Sequence, residues 1–429
     1  LSALVGASAL LFVASPSRAE RLTIDEVVRL TLASSPALSA ERSRAAATDY
    51  RGSGAFGRML PSLHVSEQYQ HWDSPFEIAT AAPGAPPGTA VRVRDQDTNT
   101  LTLSATQPLL GLLRRHQEYK ATAVGAEAAA LGVRVSESAT REAVELEYLR
   151  MFEAKARVDV AAASERDLTS ELAETEARVK AGSQTNADLL RVRVAVANAH
   201  QEGILAGADV TVSRANLLSA MGRSPEDTST EFEPPARLLA AASPAAASPS
   251  EALSRRLELR QAKLRAESAE HAEQSRLYAL LPEVNVDVAY QRIDGQVFMP
   301  KNSGFVGLRA DWAIWEWGSI MNEKKAAAAE AKASASDADA TQRRILTEVA
   351  SRKAELVAAE SAVAVAEQTI QSAEEAYRVT GELVRAGSGT TTDLLSAQSE
   401  LTGARLMLER ARYARAMVRI RLERALGHR

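Results

Sequence analysis

Two spacings of apolar residues alternate along this chain, and the change from one to the other occurs at similar places in its two halves. Over long stretches rich in Ala, Glu and Arg, apolar positions follow the roughly 3.6-residue period of an α-helix. After Leu60-Pro61, and again after Leu281-Pro282, apolar and polar residues alternate, which is typical of a strand with one apolar face. The alternation predicts a β-hairpin over 62–107 and a second one over 283–314.

Each hairpin is followed by a long helix and a returning helix. The long helices are predicted over 112–181 and 318–386, and the returning helices over 186–221 and 391–426. No proline interrupts either long stretch. A helix of about 70 residues is about 100 Å long, which is typical of a coiled coil or a helical barrel rather than of a globular domain. Because such a helix cannot leave its apolar stripe in water, we expect the shorter helices to cover it.

The turn between each long helix and its returning helix is nearly identical in the two halves. Glycine ends one helix, and threonine with an aspartate three residues later begins the next. The corresponding positions are 205 residues apart, and they are Gly182 and Gly387, Thr185 and Thr390, and Asp188 and Asp393. The strand ends Gln107-Pro108 and Trp312-Ala313 have the same separation, so the two long helices are equal in length without insertion.

This order divides the chain into two repeats, joined by a linker. The first repeat is predicted over 20–221, and the second over 251–429, where it opens with a helix over 251–280. Between them, 222–250 is rich in proline, serine and alanine and is predicted as a linker. The fold class is therefore mainly α and internally duplicated, with four β-strands per chain.

Residues 1–19 have the pattern of a signal peptide without its methionine and basic start. Their uncharged apolar run ends near Val13, and Ser17 and Ala19 stand at the −3 and −1 positions of a cut after Ala19. The alternative is a buried N-terminal helix. No cysteine follows the cut, so a lipoprotein anchor is not expected. No other apolar run reaches the ~18–20 residues of a membrane helix, so membrane insertion would require a β-barrel.

The amino-acid composition and the absence of known motifs argue against several classes of function. The formal net charge of −4 gives no sign of a nucleic-acid-binding face. The chain has no cysteine, which excludes thiol chemistry, disulfides and cysteine-ligated zinc. His64 and His71 fall on opposite strand faces, so a shared metal is not expected there. Phosphate-loop, zinc-protease and serine-hydrolase motifs are absent from the sequence, and we predict no enzyme activity, no cofactor and no metal site.

The alternating strands fit two settings. A sheet packed on a soluble core explains them, and so does an outer-membrane barrel with lipid outside and water inside. Four strands cannot close a barrel, because such barrels start at about 8 strands, so symmetric copies would be needed. Glu67 stands on the apolar face between Val65 and Tyr69, where a carboxylate in lipid is costly.

Two sets of strand residues are candidates for contact with water or with the membrane surface. Those on the polar face would line a lumen, although ordinary cross-strand pairing is the alternative for them. These lumen-facing candidates are Asn285, Asp287, Arg309 and Asp311. The candidate anchors at a membrane interface are Tyr290, Trp312, Trp315 and Trp317.

The order of these elements resembles the TolC-type outer-membrane efflux proteins, and so does the strand-to-helix junction Trp312-Ala313-Ile314-Trp315-Glu316-Trp317-Gly318. The resemblance covers about residues 20–429. It implies a homotrimer with a transmembrane β-barrel of twelve strands in outer-membrane lipid, continued across the periplasm by a long α-helical barrel. It also implies that the turns meet a periplasmic membrane-fusion (adaptor) protein, which links the duct to an inner-membrane pump. The linker and the chain termini would form an equatorial belt.

The same resemblance assigns two roles to the turns. Aspartates after the second turn ring the closed entrance in the family, so Asp393, and with it Asp188, are candidates for a periplasmic gate. Ser396 and Gly389 stand where the founding member of the family has a second aspartate and an arginine, so part of that network is missing. The candidates for docking the adaptor are Lys180, Ala181, Gly182, Ser183, Thr185, Arg385, Ala386, Gly387, Ser388 and Thr390.

The turn residues alone also allow a simpler interpretation. Thr185 and Thr390 can be N-caps, and Asp188 and Asp393 can be acids that favour a helix start. In a ring of three copies, by contrast, the Asp393 carboxylates would raise one another's pKa and attract cations.

The predicted function is that of an outer-membrane exit duct in a tripartite efflux or type I secretion system. It would be a passive conduit that the adaptor opens at the periplasmic turns. A secreted periplasmic coiled-coil scaffold or adhesin without a pore is the alternative. The adaptor role itself is a third possibility, but it needs a lipoyl-like β-domain, and the sequence has no such run of short strands.

Overall fold

The structure, a computed structural model, describes residues 20–79, 90–241 and 249–428, and they form two compact units. Unit 1 contains the described residues up to Ala40, together with Arg134–Arg256 and Arg343 onwards; unit 2 contains Glu41–Val133 and Leu257–Gln342. Each unit therefore takes segments from both sequence repeats. The predicted leader, 1–19, lies outside the described residues.

Helices and strands follow one another in the duplicated order. The helices are α1 (Ile24–Ser34), α2 (Pro36–Gly57), α3 (Gly111–Lys180), α4 (Asn186–Ala220), α5 (Ala236–Ala240), α6 (Pro249–Arg255), α7 (Leu257–Tyr278), α8 (Ser319–Arg385) and α9 (Thr391–Ala425). The strands are β1 (Glu20–Leu22), β2 (Ser62–His71), β3 (Phe76–Ala79), β4 (Ala90–Pro108), β5 (Thr230–Phe232), β6 (Glu283–Gln296) and β7 (Asn302–Asp311).

The prediction of a mainly helical, duplicated chain is confirmed. The long helices α3 and α8 have 70 and 67 residues, and the returning helices α4 and α9 have 35 residues each. Among the described residues, none of the helices carries an apolar stretch sufficient to cross a bilayer.

The strands of unit 2 form one antiparallel sheet. Its order is β2-β4-β6-β7, and the short strand β3 pairs with the N-terminal part of β4. The sequence did not predict β3, which lies within the first predicted hairpin, 62–107. Within the described residues, β2 and β7 each pair on one side only, so both edges of this sheet are open.

The helical segments of unit 2 are arranged in the same order as the strands to which they connect. The ring of Phe56 in α2 lies 5.6 Å from that of Tyr119 in α3. Ser268 of α7 donates to the Ala121 carbonyl of α3 at 2.8 Å, and Gln261 makes a similar bond one heptad earlier. An ion pair connects α7 to α8. The order is therefore α2-α3-α7-α8, and α2 and α8 are its edges, as β2 and β7 are for the sheet.

One face of this sheet is apolar up to a polar boundary. Two successive rows across β2, β4, β6 and β7 are Leu63, Ala105, Val288 and Val306, then Val65, Leu103, Tyr290 and Gly304. The next row is Glu67, Leu101, Arg292 and Asn302. Asn99 Nδ2 donates to Glu67 at 3.0 Å. Glu67 therefore stands with two other polar residues at the end of the apolar rows, which explains its place on this face.

Unit 1 packs α1 and parts of α3, α4 and α9 around an apolar core. Tyr148 and Leu149 of α3 are among its most buried residues. β1 and β5 form a short parallel pair beside this core, so the predicted linker contributes a strand to it. The single proton of the Tyr148 hydroxyl is shared between the Leu22 carbonyl, at 3.2 Å, and the Glu233 carbonyl. Burial raises the pKa of Tyr148, so its hydroxyl remains a donor at all physiological pH values.

The predicted helix 251–280 is divided in the structure into α6 and α7. The break falls at Arg256, whose side chain is 7% exposed. Its guanidinium donates to the Ala425 carbonyl at 3.1 Å and pairs with Glu348 at 3.0 Å. Because a buried arginine needs such partners, these contacts with α9 and α8 fix Arg256 at the point where α6 ends and α7 begins.

Replacing Tyr148 with phenylalanine should lower the thermal unfolding midpoint of the purified protein. The change removes a hydroxyl whose one proton is shared between two carbonyls and retains the ring, and losing that hydrogen bond costs about 0.5–1.5 kcal/mol. Tyr50→Phe is the matched control, since Tyr50 is 75% exposed. Equal midpoints for the two variants, measured by circular dichroism, would show that Tyr148 does not hold β1 and β5.

Candidate functional site at the two helical turns

The long helices end in turns with the same backbone. We call 181–185 the first turn and 386–390 the second turn. Gly182 and Gly387 have φ angles of 76° and 78°, in the left-handed region that favours glycine. In the first turn the Ser183 amide donates to the Arg178 carbonyl at 2.9 Å, and the second turn repeats this bond at the same length. These bonds satisfy carbonyls in the last turn of each helix, so each glycine turn ends its long helix.

Thr185 and Thr390 are the N-caps of α4 and α9. The Asp188 amide donates to Thr185 Oγ1 at 3.2 Å, and that hydroxyl donates to Asp188 Oδ2 at 2.6 Å. Asp393 and Thr390 make the same two bonds at the same distances. Hydrogen bonds from the threonine side chain, and then from its backbone amide, lower the pKa of both aspartates. In a single chain, both carboxylates therefore act as ionised helix caps. The opposite shift expected from a ring of copies stays a prediction.

Gln184 in the first turn and Arg191 on α4 connect this region to the start of α9. Gln184 Nε2 donates to Thr391 Oγ1 at 3.1 Å. Arg191 Nη1 donates to Thr392 Oγ1 at 3.1 Å and to Asp188 Oδ1 at 3.3 Å. The Asp188 carboxylate thus caps α4 and also orients the arginine that reaches the start of α9.

The second turn is built differently around its aspartate. Asp393 is exposed, and its charge has no arginine partner within the described residues. Gly389 packs closely on the preceding helix, where a Cβ would lie 3.0 Å from Val384 Cγ2. A larger residue at 389 would need the helix end to shift. Ser396 is exposed one turn further on and adds no charge.

The residues predicted to dock a partner are all accessible. Every member of the set is exposed, and the set is Lys180, Ala181, Gly182, Ser183, Thr185, Arg385, Ala386, Gly387, Ser388 and Thr390. Exposure leaves docking possible, and their role stays a prediction.

The predicted lumen residues lie together on the polar face of the sheet. Arg309 Nε is 3.2 Å from Asp287 Oδ2 and 3.7 Å from Asp311 Oδ2. Thr106 Oγ1 donates to Asp287 at 2.7 Å, and Asn285, which is opposite Arg309 in the strand pairing, is buried. These contacts are cross-strand pairs, as the alternative interpretation holds, and they also leave Arg309 and Asp311 more than half exposed to any water on that face.

Sequence reasoning missed Gln184, Arg191, Thr391 and Thr392. Arg191 follows Asp188 by three residues, a spacing that indicates a helical ion pair. Its second bond, to Thr392, joins residues that are 201 positions apart, and no local pattern predicts that. Across the described residues, no group of three or more acidic or histidine side chains is placed to hold a metal ion.

The model of the outer membrane efflux protein family matches residues 27–223 and 248–428, so the chain belongs to this family. It is accordingly an outer-membrane protein that extends into the periplasm. Among curated protein sequences, none matches the chain.

Solved structures share the fold at low sequence identity. The outer membrane protein VceC of Vibrio cholerae has a TM-score of 0.80 at 16% identity, covering 94% of this chain and 96% of that one. The CmeC outer membrane channel of Campylobacter jejuni gives 0.82 at 13%, covering 94% and 85%. The open-state MtrE outer membrane channel of Neisseria gonorrhoeae gives 0.77 at 16%, covering 96% and 93%. Full-length coverage confirms the predicted fold class of a long helical barrel with strands.

Arg191→Gln should loosen the contact between the two turns. We expect backbone amides over 387–393 to exchange with deuterium about 2- to 5-fold faster, because an exposed charge-assisted bond contributes roughly 0.5–1 kcal/mol. Arg193→Gln is the control: Arg193 lies on α4 like Arg191, but its ion pair is with Glu176 of α3, so its loss leaves the second turn untouched. If both variants exchange alike at the second turn, the contact through Arg191 does not hold it.

Proposed function

We propose that this chain is the outer-membrane exit duct of a tripartite efflux or type I secretion system. It acts as a passive conduit without catalysis, and an adaptor protein opens it at the periplasmic turns. The observation that carries this proposal is the pair of exposed, glycine-ended turns at the ends of two long helices. Hydrogen bonds from Gln184 in the first turn and from Arg191 on α4 connect this region to the start of α9. Membership in the outer membrane efflux protein family supports it.

The duct is a homotrimer. One chain supplies a sheet open at β2 and β7 and a helical layer open at α2 and α8. The four main strands alternate in direction, so β7 of one copy can pair antiparallel with β2 of the next. Three copies give twelve strands, above the about 8 that the smallest outer-membrane barrels require.

Exposed apolar residues on two helices of unit 1, α4 and α8, support the same assembly. Leu190, Val194 and Ile204 on α4 are each about 60% exposed, as are Val357 and Val365 on α8. A lone chain would leave these stripes in water, at about 25 cal/mol per Å² of apolar surface. Contact with a neighbouring copy covers them.

The closed entrance is held in two ways. Within each chain, Arg191 joins the first turn to Thr392. Between chains, the three exposed Asp393 carboxylates, which no arginine neutralises, ring the mouth and attract cations. An adaptor that competes for the turn residues would release the first contact and widen the ring. The adaptor links the duct to an inner-membrane pump, which supplies the energy.

Asp393→Ala should weaken block of the channel by divalent cations in planar lipid bilayers, because it removes three carboxylates from one mouth. Thr390→Ala is the matched variant, since it deletes the helix cap and retains the charge. Block that is unchanged in Asp393→Ala, or equally weak in both variants, would return Asp393 to a capping role alone.

Ala181→Trp and Ala386→Trp should abolish efflux while trimers remain in the outer membrane. The two alanines are exposed beside the glycines and do not have positive φ angles, so the turns can still form. Glu202→Trp, at an exposed position on α4 away from the turns, controls for bulk alone. Retained drug resistance in the two turn variants would argue against docking there, and recovery of full-length protein as a soluble periplasmic monomer would reject the duct itself.

A further inference from the structure

A cavity of about 200 Å³ lies close to the second turn, between α3, α8 and α9 of unit 1, and we call it the turn cavity. Since one water needs about 10–15 Å³ on this measure, the space holds several waters or a small polyatomic ion. Three arginines line it, and the lining residues that matter below are Glu171, Arg178, Tyr377, Arg378, Gly381 and Arg385. Guanidinium groups recognise the oxygens of carboxylate and phosphate groups. The lining therefore favours an anionic ligand.

The arginines of α8 differ in how far their charge is neutralised. Arg378 donates to Glu375 at 2.8 Å and to Glu382 at 2.7 Å, so two carboxylates of its own helix hold it. Arg385 makes no hydrogen bond or ion pair within the described residues. Arg385 is therefore the cation of the turn cavity that is available to a ligand.

On α3, Arg178 has a buried donor that the chain does not satisfy. Its Nη2 donates to Glu174 at 2.9 Å, but its Nη1 is shielded from solvent and has no acceptor within the described residues. Glu171 lies 3.9 Å from Nη1, too far for a hydrogen bond. One helical turn after the lining residue Leu394, Gln398 is 3% exposed, and both polar atoms of its amide also lack a partner there. Unsatisfied buried donors are costly, and the oxygens of an anion would satisfy them.

Tyr377 adds a donor, and Glu171 is the acid in the lining. Burial, together with the charges of Asp167 and Glu171, raises the pKa of Tyr377, so its hydroxyl keeps its proton and can donate. Burial also raises the pKa of Glu171, against the lowering effect of Arg178. A raised pKa eases protonation, and a protonated glutamic acid donates to an anion instead of repelling it. Glu171 is thus compatible with an anion beside it.

A glycine within α8 leaves space beside Arg385. Gly381 lies about one turn before the end of this helix, where glycine is less favourable than any residue except proline. It does not have a positive φ, and a Cβ there would meet Arg385 Nη2 and Leu394 Cδ1 at 3.9 Å each, which is ordinary contact. The fold therefore does not require glycine at 381, and its missing side chain keeps the turn cavity open next to the guanidinium.

We propose that the turn cavity binds a small oxyanion, such as inorganic phosphate, between Arg178 of α3 and Arg385 of α8. The Arg385 guanidinium supplies the charge, and Arg178 Nη1 and the Tyr377 hydroxyl donate to the oxygens. The buried side chains of Val384 and Leu394 form part of the wall, and such apolar surroundings strengthen charge interactions. The ligand joins the ends of the two long helices. Its consequence for opening of the duct rests on the proposed function, whereas its binding does not.

Phosphate binding can be measured on the purified protein in detergent. Inorganic phosphate, with ionic strength held constant by sodium chloride, should raise the thermal unfolding midpoint of the native protein. Arg385→Gln should raise the phosphate dissociation constant obtained from this titration about 10-fold, because a charge-assisted hydrogen bond is lost. Arg343→Gln, which removes an exposed arginine elsewhere on α8, should respond like the native protein. No response in the native protein, or an equal response in Arg385→Gln, overturns the proposal.

Gly381→Leu separates the turn cavity from the fold. Leucine favours a helix and extends into the space beside Arg385, so the midpoint without phosphate should equal or exceed the native value. Phosphate should then no longer raise it. Gly381→Ala adds one methyl group at ordinary contact distance and should show a smaller phosphate response than the native protein, even if leucine disturbs the helix. A full response in both variants would place the ligand elsewhere and reject the site.

Amide exchange tests whether the ligand joins the two helix ends. Saturating phosphate should slow deuterium exchange over 387–393 about 2- to 5-fold in the native protein and leave it unchanged in Arg385→Gln. Sodium chloride at the same ionic strength is the control for screening. Equal slowing by both salts, or native exchange that phosphate does not change, would contradict the bridge between α3 and α8.

Discussion

The apolar stripe of a 70-residue helix must be covered by other helices along its whole length, and this requirement governs the rest of the structure. In unit 2, α2 and α7 lie against α3 from its two sides. In unit 1, α4 and α9 do so, through ion pairs such as Arg157 with Asp209 and Arg405 with Asp167. Short helices thus line a long one in each unit, which explains why the chain is divided into a helix, a hairpin and a returning helix, twice.

The same requirement leaves one chain incomplete. The layer and the sheet in unit 2 both end at elements with a single neighbour, and apolar residues on α4 and α8 are exposed in unit 1. Edge strands and apolar edge helices are unfavourable in isolation, because unpaired amides invite another strand and apolar surface invites association. The proposed closure by symmetric copies would remove both at once, and it would turn the polar face of the sheet, with Arg309 and Asp311, into a lining.

Local signals predicted the repeats and the turns well. Gly182 with Thr185 and Asp188 carries a helix stop and a helix start within seven residues, and the structure has the corresponding φ angle and cap bonds. Alternation placed the strands, because one face is apolar over several rows. Glu67 looked out of place only because the sequence does not show that Arg292 and Asn302 share its row.

Contacts between distant residues could not be predicted. The bond from Arg191 to Thr392 depends on how two turns from different repeats come together. The break at Arg256 depends on a carbonyl of α9 and a carboxylate of α8. The left-handed backbone of Trp317 contradicts its residue type, and such violations of local preference are where function is to be expected.

Disulfide cross-linking between chains tests closure of the wall most directly, since the chain has no cysteine of its own. Gln68→Cys on β2 would be combined in turn with a cysteine at each polar-face position of β7, in intact outer membranes. Closure by three copies predicts that one register gives a ladder of linked chains ending at three, while each single variant stays unlinked. A ladder that ends at two, or the absence of linked chains in every register, would contradict it.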